Sequence, residues 1–309
     1  MVYTYLSGRL GNNLFQIATG AALAIKNNSE MIACISETWC AEPDNCYLEQ
    51  YLEPFKHNVF RNIKFINGFP EGAIKFNQVE EVEQIPYYDN IFLHGLWQSE
   101  NYFVKQKEYL QELFSIDKKT KNFITNKYPF LFEQEIISIV IRRGDYCKQP
   151  QYHPTCSMKY YRNAVKYFGN DKSYLIVSDD IEWCKAKFKG ENFYFSGHES
   201  PVIDFYLQTL CTHNIISNSS FAWWGAWLNN NHGKKVIAPS ENWCGLFYKD
   251  LCRSDLLPKD WILIANPLIF KHKLKVGIAI VMRYALLPMK HFVEGKFKLK
   301  LSLKKNNSN

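Results

Sequence analysis

Two adjacent arginines, Arg142 and Arg143, come directly after residues 136–141, a run rich in β-branched side chains that predicts a buried strand. Ligands of open α/β sheets bind at the carboxyl ends of strands, so this pair is a candidate for binding chemistry. Guanidinium groups are always charged and grip phosphate oxygens in a bidentate manner. The pair therefore predicts a diphosphate site, in which one arginine contacts the ligand and the other is partly structural. The competing interpretation is an internal ion pair, for example between Arg143 and Asp145.

A glycine-bearing loop near the start of the chain is a second candidate site. It reads GRLGNN over residues 8–13, after a predicted strand and before a predicted helix. Two glycines three residues apart let the backbone approach a ligand closely, and a helix N-terminus favours anions. The spacing is not that of a dinucleotide-binding fingerprint. Gly11 and Asn12 are thus candidate ligand residues, although a plain tight turn explains the loop equally well.

A third stretch, residues 214–227, combines polar and aromatic side chains. A predicted strand ends there, Ser219 and Ser220 follow, and a predicted helix begins. Serine hydroxyls and free backbone N–H groups at a helix N-terminus can donate hydrogen bonds to phosphate. Three tryptophans recur at helical spacing, which predicts core packing for at least two of them: Trp223, Trp224 and Trp227.

The sequence lacks the Asp-x-Asp motif that nucleotide-sugar enzymes using Mg²⁺ or Mn²⁺ often carry. The adjacent pair Asp179 and Asp180 is no substitute, because successive side chains on a strand diverge. If a diphosphate leaves, arginine must stabilise the charge that a metal would otherwise stabilise. We therefore expect chemistry without a metal or other cofactor. The nine cysteines contain no C-x-x-C pair, so zinc ribbons and thiol redox chemistry find no support, and reduced buried thiols are expected.

The elements that must position these residues alternate regularly in the second half of the chain. Strands are predicted at 136–141, 174–178, 192–195, 214–217 and 235–238, and helices at 158–168, 181–188, 202–211 and 221–230. Such alternation predicts a parallel sheet covered by helices on both faces. The first half begins similarly, with strands at 2–6, 31–35 and 91–96 and helices at 14–27 and 104–114. Residues 40–90 look irregular, and a domain boundary is expected near 126–135.

Charge is unevenly distributed along the 309 residues, which have a net charge of +7. Residues 263–309 hold ten Lys or Arg side chains and a single acid, Glu294, whereas the rest of the chain is nearly neutral. This pattern argues against nucleic acid as a partner and favours an anionic membrane surface. The segment mixes apolar and basic residues, as an amphipathic segment on a membrane does, and a solvated tail is the alternative. The first residues show no secretory signal pattern, so a cytoplasmic location is expected.

Four segments, in the same order, resemble the bacterial α-1,2-fucosyltransferases of glycosyltransferase family 11. They are residues 8–16 (GRLGNNLFQ), 94–103 (HGLWQSENYF), 141–146 (IRRGDY) and 218–224 (NSSFAWW, with Asp204 upstream). The resemblance implies a GT-B-like α/β fold, with two Rossmann-like domains facing a cleft and a basic C-terminal tail. Residues 1–130 would form an acceptor-side domain, residues 131–262 the GDP-fucose-binding domain and residues 263–309 the tail.

The same resemblance implies a reaction. It is inverting, metal-independent transfer of L-fucose from GDP-β-L-fucose to the 2-hydroxyl of a terminal galactoside, in surface polysaccharide or O-antigen assembly. Two alternatives stay open: a GDP-fucose transferase that makes another linkage, such as α-1,6, and a non-catalytic nucleotide- or glycan-binding protein.

Residue roles carry over where this sequence matches the family. Arg142 would stabilise the departing diphosphate, with Asn12 beside the donor sugar as the second catalytic residue, and Asp204 would face guanine. The substrate-binding residues expected are Gly11, Arg143, Asp145, Asp179, Asp204, Asn218, Ser219, Ser220 and Phe221. Acceptor-side candidates are His94, Trp97 and Glu100, and the general base is open among His94, Glu100 and Asp145. Val140 replaces the histidine usual two positions before the first arginine, so that histidine's contribution to nucleotide binding is lost or replaced.

Overall fold

The computed structural model describes residues 1–35, 48–78, 84–251 and 253–282. Within these ranges the chain forms two parallel sheets, one in each half of the sequence. Residues 283–309, which hold most of the predicted basic tail, lie outside the described part of the chain.

The first half is built on a five-stranded sheet in the order β3-β2-β1-β5-β4. Its strands are β1 (Val2–Tyr5), β2 (Met31–Ile35), β3 (Phe65–Asn67), β4 (Ile74–Asn77) and β5 (Ile91–His94), and each neighbouring pair is parallel. Its helices are α1 (Leu10–Lys26), α2 (Leu48–Lys56), α3 (Lys107–Leu113) and α4 (Lys118–Lys127). The prediction of irregular structure over residues 40–90 is wrong, because α2, β3 and β4 lie there.

The second half is built on a six-stranded sheet in the order β11-β10-β9-β6-β7-β8. Its strands are β6 (Ile136–Ile141), β7 (Ser173–Ser178), β8 (Phe193–Phe195), β9 (His213–Ile215), β10 (Val236–Pro239) and β11 (Ile262–Ile264). Its helices are α5 (Gly144–Lys148), α6 (Met158–Phe168), α7 (Ile181–Lys187), α8 (Pro201–Leu210), α9 (Ser220–Leu228) and α10 (Phe270–Val281). All pairs are parallel, as predicted, and all six residues of β6 are buried because helices cover both faces.

A shared core joins the two halves. Phe15 of α1 packs against Trp223 and Trp224 of α9, with ring centroids 4.5 and 5.0 Å apart, and Phe103 stacks on Trp224 at 5.3 Å. All three tryptophans of α9 are buried, so the prediction of core packing is confirmed. A cleft lies between the carboxyl edges of the two sheets. The expected GT-B architecture, two Rossmann-like domains facing a cleft, is therefore confirmed.

The second sheet extends beyond the boundary predicted at residue 262. β11 pairs with β10 in the register Ala238 to Leu263, and buried Asn266 accepts a hydrogen bond from the backbone N–H of Ser157 at 2.8 Å. A tail beginning at residue 263 is thus a wrong assignment, because these residues belong to the folded body. Among the described residues, no helix has the length and apolar character needed to cross a membrane.

Candidate active cleft

The cleft has a volume of about 740 Å³ and opens where the strands of both sheets end. The β1–α1 loop forms one wall, and the residues after β6, β7 and β9 form the other. Ten of the residues singled out in the sequence line it: Gly11, Asn12, Arg142, Asp145, Asp179, Asp204, Asn218, Ser219, Ser220 and Phe221. Segments far apart in the sequence are brought together, as expected for the carboxyl edges of parallel sheets.

The N-termini of α1 and α9 meet at the cleft. A β-carbon at Gly11 would lie 2.5 Å from the backbone nitrogen of Phe221, so glycine is required for this approach. Asn12 Oδ1 accepts hydrogen bonds from Gln98 Nε2 at 2.8 Å and from Ser220 Oγ at 3.2 Å. Asn12 therefore links both helices to the segment after β5. Two helix N-termini side by side make this part of the cleft favourable for an anion.

Arg142 enters the cleft from the carboxyl end of β6 and contacts two carboxylates. Its Nη1 lies 2.8 Å from Asp179 Oδ2 and its Nη2 lies 2.8 Å from Asp145 Oδ1, and Arg9 Nη1 lies 3.7 Å from Asp145 Oδ2. Burial acts to lower the pKa of Arg142, but the two carboxylates outweigh it, so the pKa is raised and the side chain is charged. A guanidinium has five N–H donors, and two carboxylate contacts leave donors for a ligand.

Arg143 takes a different direction and does not line the cleft. Its Nε donates to Asp180 Oδ2 at 2.8 Å, and its guanidinium lies 3.8 Å from the centroid of the Trp183 ring. The expectation that one arginine is structural thus fits Arg143, whereas its inclusion among the substrate-binding residues does not fit this position. The alternative pairing of Arg143 with Asp145 is wrong, because Asp145 pairs with Arg142 instead.

Asp204, in the first turn of α8, is a buried carboxylate on the cleft wall. Its Oδ2 lies 3.0 Å from His198 Nδ1, while its Oδ1 has no hydrogen-bond partner among the described residues. Burial raises the pKa of Asp204, and neighbouring His198 and Ser196 lower it by less. A carboxylate oxygen without a donor in a buried position is costly, so the site is suited to a ligand that brings N–H donors.

Two residues after β9 have different positions: Asn218 holds neighbouring loops, and Ser219 immediately precedes helix α9. Asn218 Nδ2 donates to the backbone oxygens of Pro154, Asn242 and Trp243 at 2.8–3.1 Å, so its side chain holds the surrounding loops in place. Ser219 occupies the N-cap position of α9, yet its hydroxyl makes no capping hydrogen bond. The N-terminal N–H groups of α9 are therefore not satisfied by this side chain.

Sequence reasoning missed an aromatic part of the cleft wall. His153 stacks on Tyr146 with ring centroids 4.8 Å apart, Tyr248 lies edge-on to His153 at 5.3 Å, and all three residues line the cleft. Burial lowers the pKa of His153, Asp145 raises it, and Arg142 and Arg9 lower it further, so the imidazole is neutral near pH 7. The signal in the sequence was that His153 is the one histidine between β6 and β7.

The acceptor-side candidates do not lie in the cleft. Trp97 is fully buried and stacks on Phe76, so its ring is not available to a sugar, and that prediction is wrong. Glu100 Oε2 accepts a hydrogen bond from Trp227 Nε1 at 2.9 Å, which makes it a packing residue. His94, the last residue of β5, is partly exposed and belongs to an aromatic surface.

That surface lies at the carboxyl edge of the first sheet. The ring of Tyr5 stacks on His94 at 4.9 Å and on Phe69 at 5.8 Å, and Phe69 is 62% exposed. Burial, and to a smaller extent Lys75, lowers the pKa of His94, so this imidazole is also neutral near pH 7. Tyr5 is the last residue of β1, and Gly8, three residues later in the sequence, lines the cleft.

Comparison with known families places this cleft in a known class of enzymes. The family model for glycosyl transferase family 11 matches residues 1–265. The chain belongs to glycosyltransferase family 11. The glycosyltransferase is 29% identical to an alpha-1,2-colitosyltransferase of Escherichia coli, over 85% of this chain and 99% of that protein. It is 26% identical to the Escherichia coli O-antigen biosynthesis glycosyltransferase WbnK, over 79% and 95% of the two chains.

Other relatives match the glycosyltransferase over shorter stretches. It is 33% identical to galactoside alpha-(1,2)-fucosyltransferase 1 of Leontocebus fuscicollis, over 30% of this chain and 28% of that protein. Among solved structures, the fucosyltransferase NodZ from Bradyrhizobium superposes with a TM-score of 0.48 at 15% identity, over 72% of this chain and 91% of NodZ.

Proposed function

We propose that this family 11 glycosyltransferase transfers L-fucose from GDP-β-L-fucose to the 2-hydroxyl of a terminal galactoside, with inversion at the anomeric carbon and without a metal ion. The observation that carries the proposal is the position of Arg142. Its charged side chain stands in the same cleft as the joined N-termini of α1 and α9, where a diphosphate would be surrounded by donors.

The reaction is a single displacement. The acceptor hydroxyl oxygen forms a bond to the anomeric carbon while the bond from that carbon to the β-phosphate oxygen breaks. GDP leaves with the electron pair, and the hydroxyl proton passes to a base. Arg142 stabilises the negative charge that develops on the departing oxygen, which is the contribution a metal makes in other nucleotide-sugar enzymes. The paired glycine and asparagine of the α1 N-terminus, Gly11 and Asn12, position the diphosphate.

The base stays open between three groups. Asp145 lines the cleft and makes an ion pair with Arg142. His94 and His153 are neutral histidines and can accept a proton at physiological pH. Glu100 is the weakest of the carboxylate candidates, because it lies outside the cleft and accepts a hydrogen bond from Trp227.

Asp204 supports guanine as the base of the donor. The Watson–Crick edge of guanine carries two adjacent N–H donors, and a carboxylate is purely an acceptor. Oδ1 of Asp204 has no donor among the described residues, so guanine would complete its hydrogen bonding. His198 holds the other oxygen and thereby fixes the orientation of the carboxylate.

His153 supports nucleotide binding despite the missing family histidine. Val140 and His153 both line the cleft, so an imidazole is present there although it comes from a different element. We assign to His153 the contact with the nucleotide that the histidine at position 140 would otherwise make.

The aromatic surface of Tyr5, Phe69 and His94 is proposed as the acceptor side. Aromatic faces pack against the C–H faces of pyranose rings, and Tyr5 of this surface lies three residues before the cleft residue Gly8 in the sequence. An acceptor galactoside lying on Phe69 would direct a hydroxyl toward the donor sugar in the cleft.

A second candidate donor is GDP-colitose. The Escherichia coli relative that matches over 99% of its own length is named an alpha-1,2-colitosyltransferase. Colitose is fucose without the 3-hydroxyl, so the same nucleotide contacts and the same displacement would serve both donors.

The test is an assay of the full chain with GDP-fucose or GDP-colitose, lactose as the β-galactoside, and EDTA, with the product linkage read by NMR. We expect a 2-linked fucosyl product whose rate EDTA does not change, and a higher kcat/KM for GDP-fucose than for GDP-colitose. A higher kcat/KM for GDP-colitose would identify GDP-colitose as the donor instead. A 6-linked product, loss of activity in EDTA, or nucleotide binding without turnover on any galactoside would contradict the proposal.

The proposal also includes a cytoplasmic location, with peripheral contact between an anionic membrane and the basic part of residues 263–309 that follows β11. Its support is the excess of basic residues in that segment. The setting, assembly of surface polysaccharide or O-antigen, is supported by the relative named an O-antigen biosynthesis glycosyltransferase.

A further inference from the structure

Helix α10 carries a stripe of exposed apolar side chains. Phe270 is 81% exposed, Leu274 58%, Ile278 57% and Val281 54%. The spacing of four, four and three residues puts these side chains on one face of the helix. A helix on the surface of a soluble domain normally turns its apolar face inward, so this stripe points in the unusual direction.

The opposite side of α10 is attached to the protein. His272 is 3% exposed, and its Nε2 lies 3.4 Å from Thr155 Oγ1. Lys275 Nζ donates to the backbone oxygen of Cys147 at 2.8 Å. The helix is therefore held by polar contacts with the α5–α6 region, and its apolar stripe faces away from the body.

The charge around the stripe selects its partner. Lys271 and Lys273 are exposed on the same helix, and residues 263–309 carry ten basic side chains against one acid. An anionic lipid surface would attract these charges and accept the apolar stripe at the boundary of headgroups and acyl chains. A second copy of the chain fits less well, because two such basic segments would repel each other.

We propose that the face of α10 formed by Phe270, Leu274, Ile278 and Val281 lies on an anionic membrane. This inference rests on the membrane contact proposed above for residues 263–309 and names the surface that makes it. The segments that hold α10, at Cys147 and Thr155, flank His153 of the cleft wall. The cleft consequently lies close to the lipid surface, where an acceptor glycan attached to a lipid would be presented.

The experiment is co-sedimentation of the full chain with vesicles of phosphatidylcholine, alone or mixed with phosphatidylglycerol. We expect binding to the anionic vesicles and little binding to the neutral ones. The double variant Leu274→Ser/Ile278→Ser should bind anionic vesicles at least about tenfold more weakly, because it removes two apolar side chains from the interface. The matched control Phe123→Ser/Phe132→Ser, which changes two exposed apolar residues elsewhere, should bind like the parent.

Thermal unfolding and GDP binding of both variants check that the fold is kept, and neither readout depends on which sugar is transferred. Equal vesicle binding by the α10 variant and the parent would overturn the proposal, as would absence of binding by the parent. Light scattering without lipid supplies a further check. A dimer of the parent that becomes a monomer in the α10 variant would assign the stripe to a second copy and also overturn it.

Discussion

Arg142 is held in position by two neighbouring carboxylates. Asp145 and Asp179 each contact one of its terminal nitrogens, and the Asp179 carboxylate also accepts the backbone N–H of Arg143 at 2.8 Å. Gly144 makes room for this arrangement, because a β-carbon there would lie 2.8 Å from Asp179 Oδ2. The motif R-R-G-D thus encodes one arginine for the cleft, one for the fold, a glycine for space and an orienting carboxylate. Adjacent identical residues can be told apart only once the strand fixes the direction of each.

Replacing Arg142 with lysine should lower kcat/KM for GDP-fucose about 10²–10³-fold, since lysine keeps the charge but loses the planar fork that grips a diphosphate. Arg143→Lys should cost much less, because Arg143 faces Asp180 and Trp183 rather than the cleft. Steady-state kinetics of both variants, with thermal unfolding as a check on folding, make the comparison. Similar losses in the two variants would show that the cleft does not distinguish the arginines.

Asp204→Asn should weaken GDP binding by about tenfold or more, since a hydrogen bond to a charged group contributes about 1.5–3 kcal/mol. The asparagine also presents an amide donor to the donor edge of guanine. Inosine diphosphate lacks the exocyclic amino group of guanine. The Asp204→Asn change should therefore weaken its binding less than that of GDP, and the preference of the protein for GDP should shrink. Calorimetric titration of both nucleotides tests this. An unchanged ratio of the two affinities would remove Asp204 from base recognition.

Phe69→Ala should raise the KM for the galactoside several-fold while leaving GDP binding unchanged, because stacking on an aromatic ring contributes about 0.5–1.5 kcal/mol. The control is Phe132→Ala, another exposed phenylalanine, which should behave like the parent. Initial rates at varied lactose concentration give the KM. If the acceptor KM of the Phe69 variant matched that of the control, the aromatic surface would not be the acceptor site.

At the scale of elements, helix α1 shows where prediction from sequence ended. It begins at Leu10, whereas the sequence predicted a start at residue 14, because glycine and asparagine favour neither a helix nor apolar periodicity. Tertiary contacts decide this start: the N–H of Leu10 donates to Tyr51 Oη at 3.0 Å, and Gly11 packs against α9. The strongly periodic or continuously apolar elements, such as β6 and α6, matched their predictions, since burial alone determines them. The short strands β3 and β4 were missed because three or four partly exposed residues carry no pattern.

Acid should weaken the attachment of α10 through His272. Burial, with smaller contributions from Lys275, Arg143 and Lys271, lowers its pKa to about 4. The unfolded chain, with a pKa near 6.5, binds a proton between pH 6.5 and 4 that the folded protein does not, so stability falls as pH falls through this window. With solvent screening included, the cost at pH 5 is about 1 kcal/mol.

The measurement is the unfolding midpoint at pH 7 and pH 5 for the parent and for His272→Gln, whose amide can still hydrogen-bond Thr155. The midpoint should fall less between the two pH values in the variant, because glutamine does not titrate. Other groups titrate equally in both proteins, so the difference between them isolates His272. An identical fall would mean that His272 titrates as it does in the unfolded chain.

At the scale of the whole molecule, the family resemblance implied two Rossmann-like domains and the cleft between them, but not their shared core. The helical spacing of the three tryptophans predicted that α9 packs into a core, yet that spacing does not say that α9 packs on α1 across the domain boundary. That contact depends on the close approach at Gly11 and on the cluster of Phe15, Phe103 and Trp224. It also depends on the strand order of each sheet. Pairing over such sequence distances leaves no local signal, and the same pairing fixes the two halves of the cleft.

Because the two halves share a core, we expect them to unfold together in one cooperative transition. Calorimetry should show one transition with equal calorimetric and van't Hoff enthalpies. GDP should raise the temperature of this single transition, because residues of both halves line the cleft. Phe15→Ala should destabilise this single transition by about 3–5 kcal/mol, since it opens a cavity beside Trp223 and Trp224. Phe188→Ala, in a separate cluster within the second half, should move the same single transition. Two transitions, of which the Phe15 variant lowered one and the Phe188 variant the other, would show instead that the halves fold independently and meet only through the ligand.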